Sequence, residues 1–185
     1  CSLNQGVRRL TLAIDILFDK DGNVIESNVF KSVIRVTKKM SYDKVYKVIC
    51  GKDEEVLKEY RDYIDDIMLM KELAVILNKK RKQSGSIDFD IPETKVVLDE
   101  NKKVVDIKPY EITIANKIIE EFMLAANMQI AEKFYFLDIP FIYRIHEKPD
   151  EEKLRELNEI LSSYKLKLKG IKNIHPKTLS TLIDN

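Results

Sequence analysis

Apolar and polar residues alternate from Arg9 to Phe18, with Leu10, Leu12, Ile14, Ile16 and Phe18 on one side of an extended chain. The pattern predicts a strand with one dominant apolar face. Asp19-Lys20-Asp21-Gly22-Asn23 supplies a turn with a glycine available for positive φ. Residues 24–36 return as the second strand of a long hairpin. The period then changes. Ser41 is placed to cap a short helix carrying Tyr42, Val45, Tyr46 and Ile49, stopped by Gly51. Asp53 is placed to cap a long helix running to about Lys82, whose face uses Val56, Tyr60, Ile64, Ile67, Ala74 and Leu77.

Further on, residues 87–91 alternate as a short strand halted by Pro92, and residues 95–99 and 104–107 read as a second hairpin. Residues 111–136 carry Ile112, Ala115, Ile118, Ile119, Phe122 and Ala125 at helical spacing. Leu124, Met128 and Phe134 carry apolar character well around the cylinder, which predicts a central, buried helix. One polar row crosses it: Asn116, Glu120, Met123 and Asn127. That row either faces a ligand cleft or is a solvated surface, since an unpaired buried carboxylate is costly. Residues 141–146 are a strand candidate. Pro149 opens a helix with Leu154, Leu157, Ile160 and Leu161 inside, and a loop leads past His175 to a short helix begun at Pro176. The expected class is α+β: antiparallel hairpins packed on a central buried helix, without regular βαβ alternation.

Composition bounds the picture. With 185 residues, 44% hydrophobic and 34% charged, the chain suits one globular domain. No apolar run approaches the roughly 20 residues that span a bilayer, so no membrane partner is expected. Cys1 and Cys50 make neither a disulfide framework nor a metal site, and cytoplasmic residence follows as the expectation. The chain opens without an initiating Met or a secretory leader, so a piece of a longer protein is expected. A net charge of +1 argues neither for nor against nucleic acid. Lys79-Lys80-Arg81-Lys82 suits a helix C-terminus, with phosphate contact as the alternative.

Candidate chemistry is sparse. The 19–23 turn fails as a calcium loop because Gly22 comes too early and no Glu follows at the required position. His175 reads as a helix-entry residue, and His146 beside Arg144 as the better functional candidate. Glu120 and Glu121 diverge by about 100° on a helix, so they cannot serve one atom as a pair. The residues alone offer no complete active site.

Several stretches nevertheless resemble, in order, the RNB catalytic domain of the ribonuclease R and ribonuclease II family. They are CSLNQGVRRL, MSYDKVYKVI, GSIDFDIPE, IANKIIEEFMLAAN and FIYRIHEKP. The last is closest to ribonuclease R. The resemblance covers nearly the whole chain. It implies a parent that degrades single-stranded RNA processively from the 3′ end, by magnesium-dependent hydrolysis to nucleoside 5′-monophosphates. Residue by residue, it puts Tyr42 near the terminal nucleotide, where a phenol can meet the ribose 2′-hydroxyl. Phe89 takes a base-stacking position. Glu120 takes the place of a carboxylate at the 3′ end, and Arg144 is a candidate phosphate contact, with an internal ion pair as the alternative. The family's magnesium-binding aspartates, a C-terminal arginine motif and the cold-shock and S1 modules are expected outside this chain. A partial domain, inactive alone, is the resulting expectation, with a monomeric parent and with self-association as a way of covering faces left open. The alternative is a degenerate RNB protein that binds RNA or a partner without cleaving. A third reading is a helical interaction module with an apolar patch on the 54–82 helix.

Overall fold

A computed structural model describes residues 2–87, 93–145 and 147–183. Its elements are β1 (Arg8–Phe18), β2 (Val24–Arg35), α1 (Tyr42–Cys50), α2 (Glu54–Glu59), α3 (Ile64–Gln83), β3 (Glu93–Leu98), β4 (Val104–Tyr110), α4 (Ile114–Phe136), α5 (Glu151–Ser163) and α6 (Pro176–Ile183). Two antiparallel hairpins and the helices between them make it an α+β chain, as expected. No described helix is long and apolar enough to cross a membrane. Two compact units divide it, Cys1–Ile76 with Asp90–Ile130 and Leu77–Phe89 with Ala131–Asn185.

In the first unit, both hairpins use one turn design. The Asp19 carboxylate accepts from the backbone N–H of Asp21 at 2.9 Å and of Asn23 at 2.8 Å, and Gly22 sits at φ 75. Asp99 does the same for Asn101 and Lys103 at 2.8 Å, with Lys102 held at φ 60. Each hairpin carries a bulge beside its turn, at Leu17/Phe18 and at Val97/Leu98. Burial follows the sequence pattern from Ile14 to Phe18, where Ile14, Ile16 and Phe18 are half-buried, and departs from it before Ile14. Leu10 is 87% exposed and Leu12 and Val33 are also open, whereas Arg9, Thr11 and Ala13 on the other side are half-buried. The register places Leu10 opposite Val33, so a continuous apolar patch lies uncovered on a two-stranded sheet. A strand's alternation marks an apolar face, but something must pack on that face before it is buried.

Ser41 caps α1, accepting from the Lys44 N–H at 3.4 Å, and Gly51 ends it at φ 64. Asp53 caps α2 as expected, accepting from the Val56 N–H at 3.2 Å. The long 54–82 helix is corrected. It breaks at Tyr60 (φ −104, ψ 10), passes through a 3₁₀ turn at Arg61–Tyr63 and resumes as α3. Neither Gly nor Pro marks the break. Tyr60 is only 1% exposed and joins Val48, Val56 and Ile67 in the core, so tertiary packing holds a bend that propensity does not announce. The opposite side of α3 keeps Met68, Leu69 and Val75 exposed, which leaves the helical interaction surface of the third reading open.

Helix α4 starts at Ile114 rather than residue 111. Asn116 Oδ1 accepts from Thr113 N–H at 3.1 Å and from Thr113 Oγ1 at 2.9 Å, closing the helix entrance in the manner of a capping box. Its buried residues are Ala115, Ile118 and Glu121, while Ile112, Met123 and Met128 are exposed. The helix is therefore central on one side only.

In the second unit α5 is capped by Asp150, which accepts from Glu152 N–H at 2.7 Å. Leu154 is buried and Leu161 half-buried, but Leu157 and Ile160 are exposed, contrary to expectation. Asn158 takes the inward place between them, its Oδ1 accepting from the Leu168 N–H at 2.7 Å. Residues 138–145 form no strand. They are tied instead by aromatic contacts, Phe134 stacked on Phe141 at 4.7 Å and Tyr143 edge-on to Phe141 at 5.2 Å. The 87–91 strand candidate falls largely at positions 88–92, outside the described residues.

Candidate functional site

A cavity of about 550 Å³ lies in the first unit where α1, α3, β3, β4 and α4 contribute side chains. Its buried wall is apolar, with Ile67, Ala115 and Ile118. Its exposed wall is polar or amphipathic, with Ser41, Tyr42, Asp43 and Lys95. The cap at Ser41 sets the first turn of α1 and thereby the position of Tyr42, which is 44% exposed. Tyr110, at the end of β4, accepts at its phenol oxygen from Asn116 Nδ2 at 3.0 Å. That bond does not use the phenol's own proton, which is available for donation. The cavity therefore joins an apolar wall, two phenols, a carboxylate and an ammonium.

The sequence-derived candidates are distributed unevenly. Tyr42 lines this cavity. Glu120 belongs to the same unit but is exposed and is not among the cavity's residues; Glu121, 4% exposed, is the carboxylate that α4 turns inward. Asn116, at the head of the polar row, is spent on the helix cap, and Met123 and Asn127 are exposed. Arg144 lies exposed in the second unit, beside the Phe141–Tyr143 contact. Phe89 and His146 lie outside the described residues. Lys95 and Tyr110 were not singled out by sequence. They come from hairpin positions without a motif, and only the fold brings them to Tyr42.

Charge around α1 is organised by two carboxylates. Glu59 accepts from Lys38 at 2.8 Å and from Lys44 at 2.7 Å. The Lys38 hydrogen bond, then that of Lys44, holds the Glu59 carboxyl below its usual range. Both lysines are raised in turn, chiefly by their bond to Glu59. Lys38 Nζ also stands 5.2 Å from the Tyr60 ring centroid. Asp53 is lowered first by Lys47, at 2.8 Å, and then by the Val56 N–H, and Lys47 is raised by Asp53. A hydrogen bond to Cys50 is the main cause that raises the Tyr46 phenol.

Among the described residues no group of three or more His, Cys, Asp or Glu is placed to hold a metal. At the cavity the carboxylate is Asp43, with the Lys95 ammonium on the same wall. This donor set does not fit a two-magnesium clamp, which needs several carboxylates around a shared phosphate oxygen.

All residues, 1–185, match the family model described as the RNB domain. The chain belongs to the RNB family, a family of ribonucleases. Its relatives include ribonuclease R of Thermotoga maritima, 41% identical over 100% of this chain and 26% of that protein. Ribonuclease R of Aquifex aeolicus is 36% identical over the same shares. Mycoplasma genitalium RNase R, solved with ribose methylated single-stranded RNA, superposes with a TM-score of 0.87 at 25% identity, over 100% of this chain and 29% of that one. Its complex with double-stranded RNA gives a TM-score of 0.88 at 25% identity, over 100% of this chain and 33% of that one. The chain thus spans about a quarter to a third of the length of these relatives.

Proposed function

We propose that this chain forms part of the RNA-holding wall of a processive 3′-to-5′ exoribonuclease acting on single-stranded RNA and releasing nucleoside 5′-monophosphates. The observation that carries the reading is the Tyr42 cavity. An apolar wall suits a ribose or base, the Tyr42 and Tyr110 phenols suit ribose hydroxyls, and Lys95 suits a phosphate. The two RNA complexes of Mycoplasma genitalium RNase R support a nucleic-acid ligand. The resemblance to the family supplies the remaining roles: Phe89 stacks a base, Glu120 accepts from a ribose hydroxyl, and Arg144 pairs with a phosphate. Magnesium serves the parent enzyme through aspartates that are not among these residues, so this chain binds RNA without hydrolysing it. The parent works as a monomer in the cytoplasm, in keeping with the free thiol of Cys50.

Fluorescence anisotropy with a 5′-labelled oligouridylate tests the reading. Tyr42→Ala is expected to weaken binding by about five- to tenfold, the worth of roughly 1 kcal/mol for a hydrogen-bonded contact. Tyr42→Phe should lower affinity for RNA and leave affinity for the matching DNA unchanged. Equal RNA affinity in all three proteins would remove Tyr42 from the site.

A further inference from the structure

The second unit carries a charge pattern that the Tyr42 cavity does not use. From Ile160 to Ile183 the sequence holds Lys165, Lys167, Lys169, Lys172 and Lys177 and no Asp or Glu, in a chain whose net charge is only +1. The stretch 165–169 alternates. Leu168 is 2% exposed and Leu166 half-buried, so Lys165, Lys167 and Lys169 face outward. Asn158 locks that alternation by accepting from the Leu168 N–H. Lys167, Lys169, His175 and Lys177 line a shallow groove of about 530 Å³, together with Thr178 and Thr181. His175 Nδ1 accepts from the Lys177 N–H at 3.2 Å, which holds Lys177 at the start of α6.

The loop that follows α3 meets the start of α6. Lys79, Lys80, Arg81 and Lys82 close α3, and Gly85 follows at φ 96. A Cβ on Gly85 would stand 2.5 Å from the Lys177 backbone nitrogen. Only a glycine allows the end of α3 to approach the start of α6 so closely. The loop after α3 and the start of α6, far apart in sequence, are thus held together in one unit. The acidic residues of α5, among them Glu151 and Glu156, precede the basic stretch and do not line the groove.

We propose that this basic face, centred on Lys167, Lys169 and Lys177, is a second RNA site that takes the phosphate backbone of a single strand without reading its sequence. Its ligand class rests on the RNA reading given above. It shares no residue with the Tyr42 cavity. Three ammonium groups on one groove match a polyanion of regular spacing, and such contacts act through counterion release.

The test is anisotropy of the full chain with a 5′-labelled oligouridylate across a salt series. Substituting Lys167→Ala, Lys169→Ala and Lys177→Ala together is expected to weaken binding at low salt by about tenfold and to flatten the slope of log affinity against log salt by about 2. Arginine at the same three positions should restore both. Unchanged affinity and slope in the alanine variant, or absence of RNA binding by the unaltered chain, would overturn the proposal. So would polyglutamate displacing the RNA as well as unlabelled polyuridylate does, because the face would then suit acidic peptides. A loss with Tyr42→Ala but not with the lysine variant leaves the cavity reading standing and removes this one. The reverse removes the cavity reading alone.

Discussion

Positive backbone φ recurs at the ends of this chain's helices, and the residue found there decides the strain. Gly51, Gly85, Asp138 and Lys165 each follow a helix with φ between 51 and 96. After each, a six-to-one backbone bond closes the last turn, as from Lys52 N–H to Lys47 O at 3.4 Å and from Leu166 N–H to Leu161 O at 3.0 Å. A Cβ disfavours this conformation by roughly 1–2 kcal/mol. Nothing lies within 4 Å of a Cβ built on Gly51, so Gly51→Ala is expected to lose about 1 kcal/mol from conformation alone. Lys165→Gly should gain about 0.5–1 kcal/mol, and urea denaturation of the two variants measures both. Gly51 and the Gly22 turn could be read in the sequence, because glycine signals positive φ. Lys102, Asp138 and Lys165 could not, since their side chains carry no such signal.

Element existence was readable wherever local chemistry decides it. Ser41, Asp53 and Asp150 stand at observed helix starts, and both hairpins turn at an Asp that binds two backbone N–H groups. The break at Tyr60 and the missing strand at residues 141–145 were not readable, because they depend on what packs against them. The same holds for α4, where the polar row left Glu120 facing either a cleft or solvent, and the fold exposes Glu120 and buries Glu121. Glu59 shows how the first unit ties α2 to the segment ahead of α1, through Lys38, and to α1 itself, through Lys44. Its carboxyl is lowered on folding, so the stability it adds is present above the ordinary carboxylate pKa. That stability is lost as pH falls through the lowered value. Glu59→Gln should therefore lose less stability than the unaltered chain between neutral pH and about pH 3, measured as urea midpoints at low salt. Asp53 shifts in the same direction and remains in both proteins, so the variant's slope becomes shallower without vanishing.

At the scale of the molecule, large apolar side chains lie open on more than one element. Leu10, Leu12 and Val33 on the first hairpin and Met68, Leu69 and Val75 on α3 are uncovered. That exposure agrees with a chain spanning about a quarter of its Thermotoga maritima relative. It also explains why alternation identified β1 while misplacing the burial of its first half. The chemistry follows the same division. The Tyr42 cavity offers phenols, an ammonium and an apolar wall, which suit a nucleotide, with Asp43 as its lining carboxylate, and the described residues hold no carboxylate cluster of the kind that brings metal ions to a scissile phosphate. The most direct measurement is incubation of the chain with a 5′-labelled single-stranded RNA and magnesium, following binding by anisotropy and length on a denaturing gel. The account predicts RNA that is bound and keeps its full length. Magnesium-dependent trimming by this chain would contradict it and place the metal ligands among these residues, and failure to bind would contradict the RNA-holding wall itself.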